Sequence, residues 1–481
     1  MKTIPTPYLK ADAMYLKHFY LDCLSHSSYL IGDEQTGTAV VIDPQRDIDI
    51  YLDEAERQGL TIKHVFLTHS HADFVAGHIE LRERVGATIH LGAKATTEFK
   101  FTAAHDGESM QLGNLRLEFL ETPGHTPESI SIVLYDEGQD GNDPVAVFTG
   151  DTLFVGDVGR PDLLASVGVS ANELGAALYS SLHDKLMTLP PATIVYPAHG
   201  AGSMCGKALS VERSSTIGRQ LEENGALQPM TQGEFVAMVT ADQPSAPAYF
   251  GFNAGLNRME RETLEIAMMS GKKPLLQDEL LELQLQGAQV LDVREPEVFA
   301  AGHIPGAINI PLTSRFASWA GTLLDRERPV ILVTEIGDEG DGTLRLGRIG
   351  YDIVIGYLAF AFAWDAQRTP LTTVARVTPD EFRAQREGDE STLVLDVRTC
   401  AEHAADKIEG SVNIPLGELR SRLDEVPIDR DLVLLCKTGE RSSMGISLLQ
   451  GEGFTRLTDM VGGFDAWTGV DSESAPTCQL S

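Results

Sequence analysis

The chain has 481 residues, with 38 Lys and Arg against 70 Asp and Glu and a formal net charge of −32. A surface this acidic repels the phosphates of nucleic acid and the anionic face of a membrane, so neither is an expected partner. At roughly 150 residues per domain the length predicts about three domains, and the five cysteines (Cys23, Cys205, Cys400, Cys436 and Cys478) are too few and too scattered for a disulfide framework, which leaves them as thiols.

The opening stretch, MKTIPTPYLKADAMYLKHFY, lacks the apolar segment of an export signal, and the most apolar run, Tyr357 to Trp364, is far too short to span a bilayer. A cytoplasmic protein is expected. Up to about residue 270, apolar strands repeatedly end in His or Asp followed by Gly or by a helix. Four are read directly: HVFLTHSHAD (His64 to Asp73), LRLEFLETPGH (Leu115 to His125), VAVFTGD (Val145 to Asp151) and TIVYPAH (Thr193 to His199). Residues 230–268 read as the helical tail of this region running into a linker.

Imidazoles and carboxylates at strand ends can converge at one mouth of a sheet, which is how a fold assembles a metal site from distant sequence. Alternation along an extended HSHAD segment puts His69 and His71 on one side. The DFVAGHIELRERVG that follows has helical periodicity with Asp73 at its start, where a capping carboxylate also belongs.

In order and spacing, THSHAD, TPGHT, FTGD and PAHG resemble the signature of the metallo-β-lactamase superfamily. One position departs from it: Phe74 stands where the signature has its third clustered His, and a phenyl ring cannot bind a metal, so a two-metal site is expected to be incomplete. Within the superfamily the chain is most similar to persulfide dioxygenases. That resemblance, supported by VVIDPQRD, GDVGRPDL and PAHGAGSMCGK, implies one Fe(II) per chain held by His69, His125 and Asp151, with His71, Asp73 and His199 as hydrogen-bonding support. Two His and one carboxylate leave positions open for substrate sulfur and O₂. Arg160 and Asp162 are expected to pair beneath the site. Cys205 is a candidate for the substrate entrance, as is Arg160 for substrate binding, although a free Cys is more often a small buried hydrophobe.

Two later segments align without gaps: VLDVREPEVFAAGHIPGAINIPL (Val290 to Leu312) and VLDVRTCAEHAADKIEGSVNIPL (Val394 to Leu416). A period of this length indicates two copies of a domain rather than a solenoid. Each reads as strand, helix and strand, the grammar of a parallel α/β domain. In the second copy, DLVLLCKTGERSSMGISLLQ places Cys436 at a strand end, then a six-residue loop Cys436–Arg441, then an amphipathic helix opening at Ser442. A thiol at the hub of such a loop faces backbone N–H groups and the positive end of a helix, with Lys437 and Arg441 adding charge, so the thiolate is favoured and can carry sulfane sulfur. Both copies, from about 275 to the end, resemble rhodaneses. Some phosphatases share that fold with a longer loop. After PVILV the first copy reads TEIGDEGDGT, has no cysteine and is acidic at Glu335, Asp338, Glu339 and Asp341, so it is read as a spacer or a dimerisation surface, with Asp292 and Arg294 as a fold-holding pair.

Together these readings predict an α/β multidomain chain. An αββα metallo-β-lactamase sandwich (1–268) is followed by two rhodanese-like domains with parallel sheets, an inactive one (269–372) and an active one (373–481). The resemblances imply oxidation of a low-molecular-weight thiol persulfide by O₂ to sulfite and thiol, coupled to formation or use of thiosulfate at Cys436 in sulfide detoxification, with a homo-oligomer (dimer or tetramer) expected. The alternatives are a zinc-dependent thioester hydrolase of the glyoxalase II kind and a metal-free persulfide-binding regulator.

Overall fold

The structure is a computed structural model that describes residues 10–11, 14–138, 143–163, 168–241, 243, 246–247, 249–312, 315–360, 364–386 and 391–469. The chain divides into two compact units: residues 1–264 with 347–350, and residues 265–346 with 351–481.

In the first unit a seven-stranded sheet runs in chain order through β1 (Lys10–Ala11), β2 (Met14–Leu21), β3 (His26–Asp33), β4 (Thr38–Ile42), β5 (Thr61–Phe66), β6 (Thr88–Gly92) and β7 (Thr102–Ala104). It is antiparallel as far as β4 and parallel from there. The second sheet has six strands: β8 (Ser109–Leu112), β9 (Leu115–Glu121), β10 (Ile130–Asp136), β11 (Ala146–Gly150), β12 (Ile194–Pro197) and β13 (Ser215–Thr216), again in chain order. The sequence of β10, ISIVLYD, shows why two layers form. Ile130, Ile132 and Leu134 point one way and join Leu16, Ile31, Val40, Ile42 and Phe66 of the first sheet in a common core. Val133 and Tyr135 point the other way, where Val133 meets Leu178 and Leu182 of helix Ala171–Asp184 and Phe235 of helix Gln232–Thr240. Helices Asp49–Arg57 and His78–Val85 lie against β5, completing the expected αββα sandwich. All four strands read from the sequence are present.

The second unit holds two parallel sheets. One orders its strands β15 (Ile308–Asn309), β14 (Gln289–Asp292), β16 (Val330–Thr334), β17 (Val354–Ala359). The other orders them β18 (Ala375–Val377), β22 (Leu457–Met460), β21 (Leu432–Leu435), β19 (Leu393–Asp396), β20 (Val412–Asn413). Four strands of the repeat thus recur in the same order, and the second copy adds β18 at the edge beside β22. In each copy the DVR motif closes on itself. Asp292 accepts from the backbone N and the guanidinium of Arg294, Asp396 does the same for Arg398, and each arginine stacks on a ring, Phe360 at 3.6 Å or Phe464 at 3.8 Å. Asn309 and Asn413 then use Nδ2 to hold the carbonyls on either side of the turn. Among the described residues no helix is long and apolar enough to cross a membrane.

Two local expectations fail. The helix after HSHAD begins at His78, not at Asp73, and its capping position is Gly77. The intervening backbone is pinned instead by a side chain far away in sequence: Asn257 donates to the carbonyls of His71 and Phe74 and accepts from Ala76 N. The helix after the Cys436 loop begins at Glu440 and is buried continuously from Ser442 to Leu449, so it has no solvent-facing stripe there.

Arg398 and Asp396 are both nearly inaccessible, at 4% and 0% side-chain exposure. Arg398→Ala strands a buried carboxylate and is expected to destabilise the second unit by about 3–5 kcal/mol. Arg422→Ala, which removes two solvent-screened pairs with Glu418 and Glu425, should leave the unfolding midpoint unchanged within error. Denaturant titration of the two variants tests the contrast.

Candidate metal centre and thiol loop

Each candidate ligand stands just beyond a strand: His69 and His71 after β5, His125 after β9, Asp151 after β11 and His199 after β12. Gly150, at φ +54°, makes the turn that delivers Asp151, and a Cβ there would meet Thr68 Oγ1 at 2.5 Å. His69, His125 and Asp151 are all buried and offer ligand atoms within 4.8 Å of one another. Asp151 Oδ2 lies 3.7 Å from His69 Nε2 and 3.5 Å from His125 Nε2, and makes no hydrogen bond. Donors that share an ion at about 2.0–2.2 Å sit roughly 3–3.5 Å apart, so this group needs only a slight contraction to grip one.

The hydrogen bonds behind the imidazoles set their tautomers. His125 Nδ1 faces the Arg160 carbonyl at 3.0 Å. A carbonyl only accepts, so the proton is on Nδ1 and the Nε2 lone pair points at the centre. His69 Nδ1 lies 3.0 Å from Thr68 Oγ1, whose own proton goes to Asp43 Oδ2 at 2.8 Å. Thr68 Oγ1 therefore accepts from His69, and again Nε2 is left unprotonated. Burial lowers the pKa of His69 and of His125, keeping both neutral as ligation requires.

His199 behaves differently. Its Nδ1 donates to Asp151 Oδ1 at 2.7 Å, and its Nε2 sits 2.9 Å from Asp73 Oδ2, off the hydrogen-bonding direction. Burial opposes its charge, but the two carboxylates win and raise its pKa well above the ordinary value. Burial would equally raise Asp151, yet the imidazoles of His199 and His69 hold it well below the usual carboxylate range. His71, Asp73 and His199 form a second buried cluster with ligand atoms within 4.8 Å of one another. His71 Nε2 lies 2.9 Å from Asp43 Oδ1, and the buried Phe74 ring packs 4.5 Å from His71 between centroids. Cys205 is also brought in, close to Asp151 and His199. Burial, followed by the carboxylates of Asp151 and Asp73, pushes its pKa well up, so it is held as a neutral thiol. The Arg160 guanidinium is buried and doubly bonded to Asp162 at 2.8 and 2.7 Å, while its carbonyl orients His125.

Three contributors escaped the sequence reading. Asp43, in the left-handed region at φ 50°, supports both Thr68 and His71. Its one local signal is its place at the end of a strand, in VVIDP. Asn257 has no local signal. His26 starts β3 with a buried ring 4.0 Å from Phe74, and neither of its nitrogens has a hydrogen-bond partner.

In the second unit Cys436 follows β21, and Gly439, at φ 113°, turns its N–H onto Sγ at 3.1 Å. Ser442 Oγ lies 3.8 Å from the sulfur and donates to Asp459 Oδ1. Arg441 is anchored at 2.8 Å by both oxygens of Glu402, a residue the sequence reading did not single out although TCAE is a capping box. Lys437 is exposed. The copies can be matched through their sheets: Asp292 pairs with Val333 as Asp396 pairs with Leu435, so Thr334 occupies the Cys436 position and Gly337, at φ 102°, the Gly439 position. Of the remaining thiols, Cys23 is buried, Cys400 is exposed and Cys478 lies outside the described residues.

Residues 21–199 match the metallo-beta-lactamase superfamily, and residues 276–364 and 378–469 each match the rhodanese-like domain. The chain is 31% identical over 192 residues to the mitochondrial persulfide dioxygenase ETHE1 of Bos taurus, covering 39% of this chain and 68% of that protein. It is 35% identical over 187 residues to a cytoplasmic hydroxyacylglutathione hydrolase of Arabidopsis thaliana, covering 38% and 67%. A crystal structure of a metallo-beta-lactamase from Staphylococcus aureus subsp. aureus COL superimposes with a TM-score of 0.65 at 33% identity, over 72% of this chain and 99% of that one.

Asp43→Asn keeps a residue that tolerates the left-handed backbone but turns an NH₂ toward Thr68 Oγ1. The hydroxyl then donates to His69 Nδ1 and forces the proton onto Nε2. Metal affinity should fall roughly 10–100-fold, as read by titration against a competing chelator. At the other site the Arg441 hydrogen bond is the largest influence on Glu402, whose pKa drops from 4.5 to about 2. A depressed carboxylate stabilises the fold above its unfolded value and stops doing so as pH falls through its folded one. Wild type and Glu402→Gln should therefore differ in unfolding midpoint at pH 6 and converge between pH 4.5 and 2.

Proposed function

Because the chain belongs to the metallo-β-lactamase superfamily and carries two rhodanese-like domains behind that fold, we propose that it is an iron-dependent persulfide dioxygenase coupled to sulfur transfer, with domains at 1–268, 269–372 and 373–481. The observation that carries this reading is Asp151 Oδ2: a buried anionic oxygen with no hydrogen bond, facing two imidazole lone pairs whose tautomers are already set. Burying such an oxygen without a cation is costly, and two His with one carboxylate suit Fe(II) while leaving room for two further ligands.

In this reading a low-molecular-weight thiol persulfide and O₂ meet at that site, and the reaction balances as RSSH + O₂ + H₂O giving RSH and sulfurous acid, which ionises to sulfite. When bound, Fe(II) would supply the redox centre at which sulfur and O₂ are brought together. His69, His125 and Asp151 would hold it. His199 keeps a proton on Nδ1 against Asp151 Oδ1, so the other carboxylate oxygen is left without a hydrogen bond and would be available to hold the ion. His71 lies beside Asp43 and Asp73 beside His199, so both add charge complementarity around the centre, and Cys205, held neutral, borders the space left for substrate. Arg160 acts through its carbonyl on His125.

The terminal sulfur of a second persulfide can pass to Cys436 and then to sulfite, making thiosulfate with release of thiol, or run in the opposite direction. The Gly439 N–H donates to Cys436 Sγ beside the amino end of the helix, while Arg441, set by Glu402, and the exposed Lys437 attract anionic sulfur species. A second reading, thioester hydrolysis at two zinc ions, draws on the Arabidopsis relative and on the second cluster His71, Asp73 and His199. Phe74 weighs against it, because its ring replaces a ligand with hydrocarbon.

Elemental analysis with O₂ uptake separates the two. About one iron per chain and persulfide-dependent O₂ consumption are expected, with His125→Ala below about a tenth of the iron and at background uptake. Cys436→Ser should retain O₂ uptake and lose thiosulfate formation. Two zincs with turnover of a glutathione thioester would replace the dioxygenase with the hydrolase.

A further inference from the structure

Within the second unit, the helix that begins at Glu440 stands with its amino end at the Cys436 loop, and it is buried on all sides from Ser442 to Leu449. Part of that cover is the other copy of the repeat. Ser443, Ser447 and Gln450 are spaced four and three residues apart and so share one face. That face meets the copy that lacks the cysteine. Ser443 Oγ donates to Asn309 Oδ1 at 2.6 Å, Asn309 N donates to Ser447 Oγ at 3.0 Å, and His303 Nε2 lies 3.0 Å from Gln450 Oε1.

Asn309 is well placed to act as a fixed point. It is fully buried, and its Nδ2 is tied to the carbonyls of Asp292 and Arg294, which leaves the direction of Oδ1 no freedom. On the other side, Ser443 is one residue from Ser442, whose hydroxyl lies 3.8 Å from the sulfur, and four residues from Gly439, whose N–H reaches Sγ at 3.1 Å. A small slide of the helix moves both groups relative to the thiol.

We propose that Asn309, in the copy without a sulfur-carrying cysteine, is a positioning residue for Cys436: through Ser443 and Ser447 it sets where the amino end of the helix stands over the thiol. The inference rests on the reading of Cys436 as the sulfur carrier, and it assigns the middle domain a task in that reaction. Polar partners suit the task because a hydrogen bond pair fixes register, whereas apolar contacts tolerate sliding.

The test uses the full chain and thiosulfate-to-cyanide sulfur transfer. Ser443→Ala removes one of the three bonds between the copies on that face, the one nearest the thiol loop, and leaves the Asn309 clamp on its own turn intact. It is expected to lower kcat roughly five- to tenfold with KM for thiosulfate unchanged, while O₂ uptake with thiol persulfide stays at the wild-type value and the unfolding midpoint falls only modestly, as one stranded buried acceptor predicts. Ser443→Thr, which keeps the hydroxyl, should restore kcat. Asn309→Ala should show a fall of its own that does not deepen when Ser443→Ala is added, the mark of one shared interaction. Wild-type kcat in Ser443→Ala overturns the proposal, as does additive loss in the double variant, or a kcat that falls only in step with the unfolding midpoint. If Cys436→Ser itself leaves sulfur transfer intact, the carrier reading has failed and the positioning role goes with it.

Discussion

One desolvated carboxylate organises the first unit. Asp151 is excluded from water, and a buried anion persists only where positive charge or hydrogen bonds replace the lost solvation. Its two oxygens are treated differently: Oδ1 takes the proton of His199, and Oδ2 takes none. The surroundings keep that asymmetry. Thr68 and Asp43 orient His69, the Arg160 carbonyl orients His125, and Asp73 helps to keep His199 charged. The sandwich supplies the frame, since these groups come from the ends of strands in both sheets and are held there by a shared apolar core.

The second unit treats a sulfur atom with a related economy. Cys436 is nearly inaccessible, receives a backbone N–H, and stands beside a hydroxyl that is itself engaged by Asp459. The arginine that faces it is fixed by a carboxylate from the helix following DVR, so one motif that shapes the domain also aligns its charge. The sulfur is therefore met by groups whose positions do not depend on the solvent.

Much of this was legible in the sequence because it is local. Strands that end in His or Asp announce themselves by composition, and the repeat shows itself by alignment, so His69, His125, Asp151 and Cys436 could be singled out residue by residue. What escaped was long-range. Asn257 pins the segment around His71 from 186 residues away, and nothing near it in the chain hints at that. Asn309 looks like one more strand-end residue, since its twin Asn413 makes the same two bonds to its own turn. The helix start was misplaced for the same reason. Periodicity in DFVAGHIELRERVG is genuine from His78 onward, but the residues before it are bonded to a distant side chain that no window along the chain contains. Ser443 and Ser447 are polar residues on a helix, and their bonds to Asn309 of the neighbouring copy are what no local window along the chain contains.

Thr334 sits at the same register as Cys436, on a loop that keeps the same glycine turn. A thiol there would pass through persulfide, sulfenate and disulfide forms as conditions changed, each with its own volume and charge. An alcohol has no such ladder. At that position the middle copy therefore has no oxidation states to pass through, whatever becomes of the sulfur in its twin.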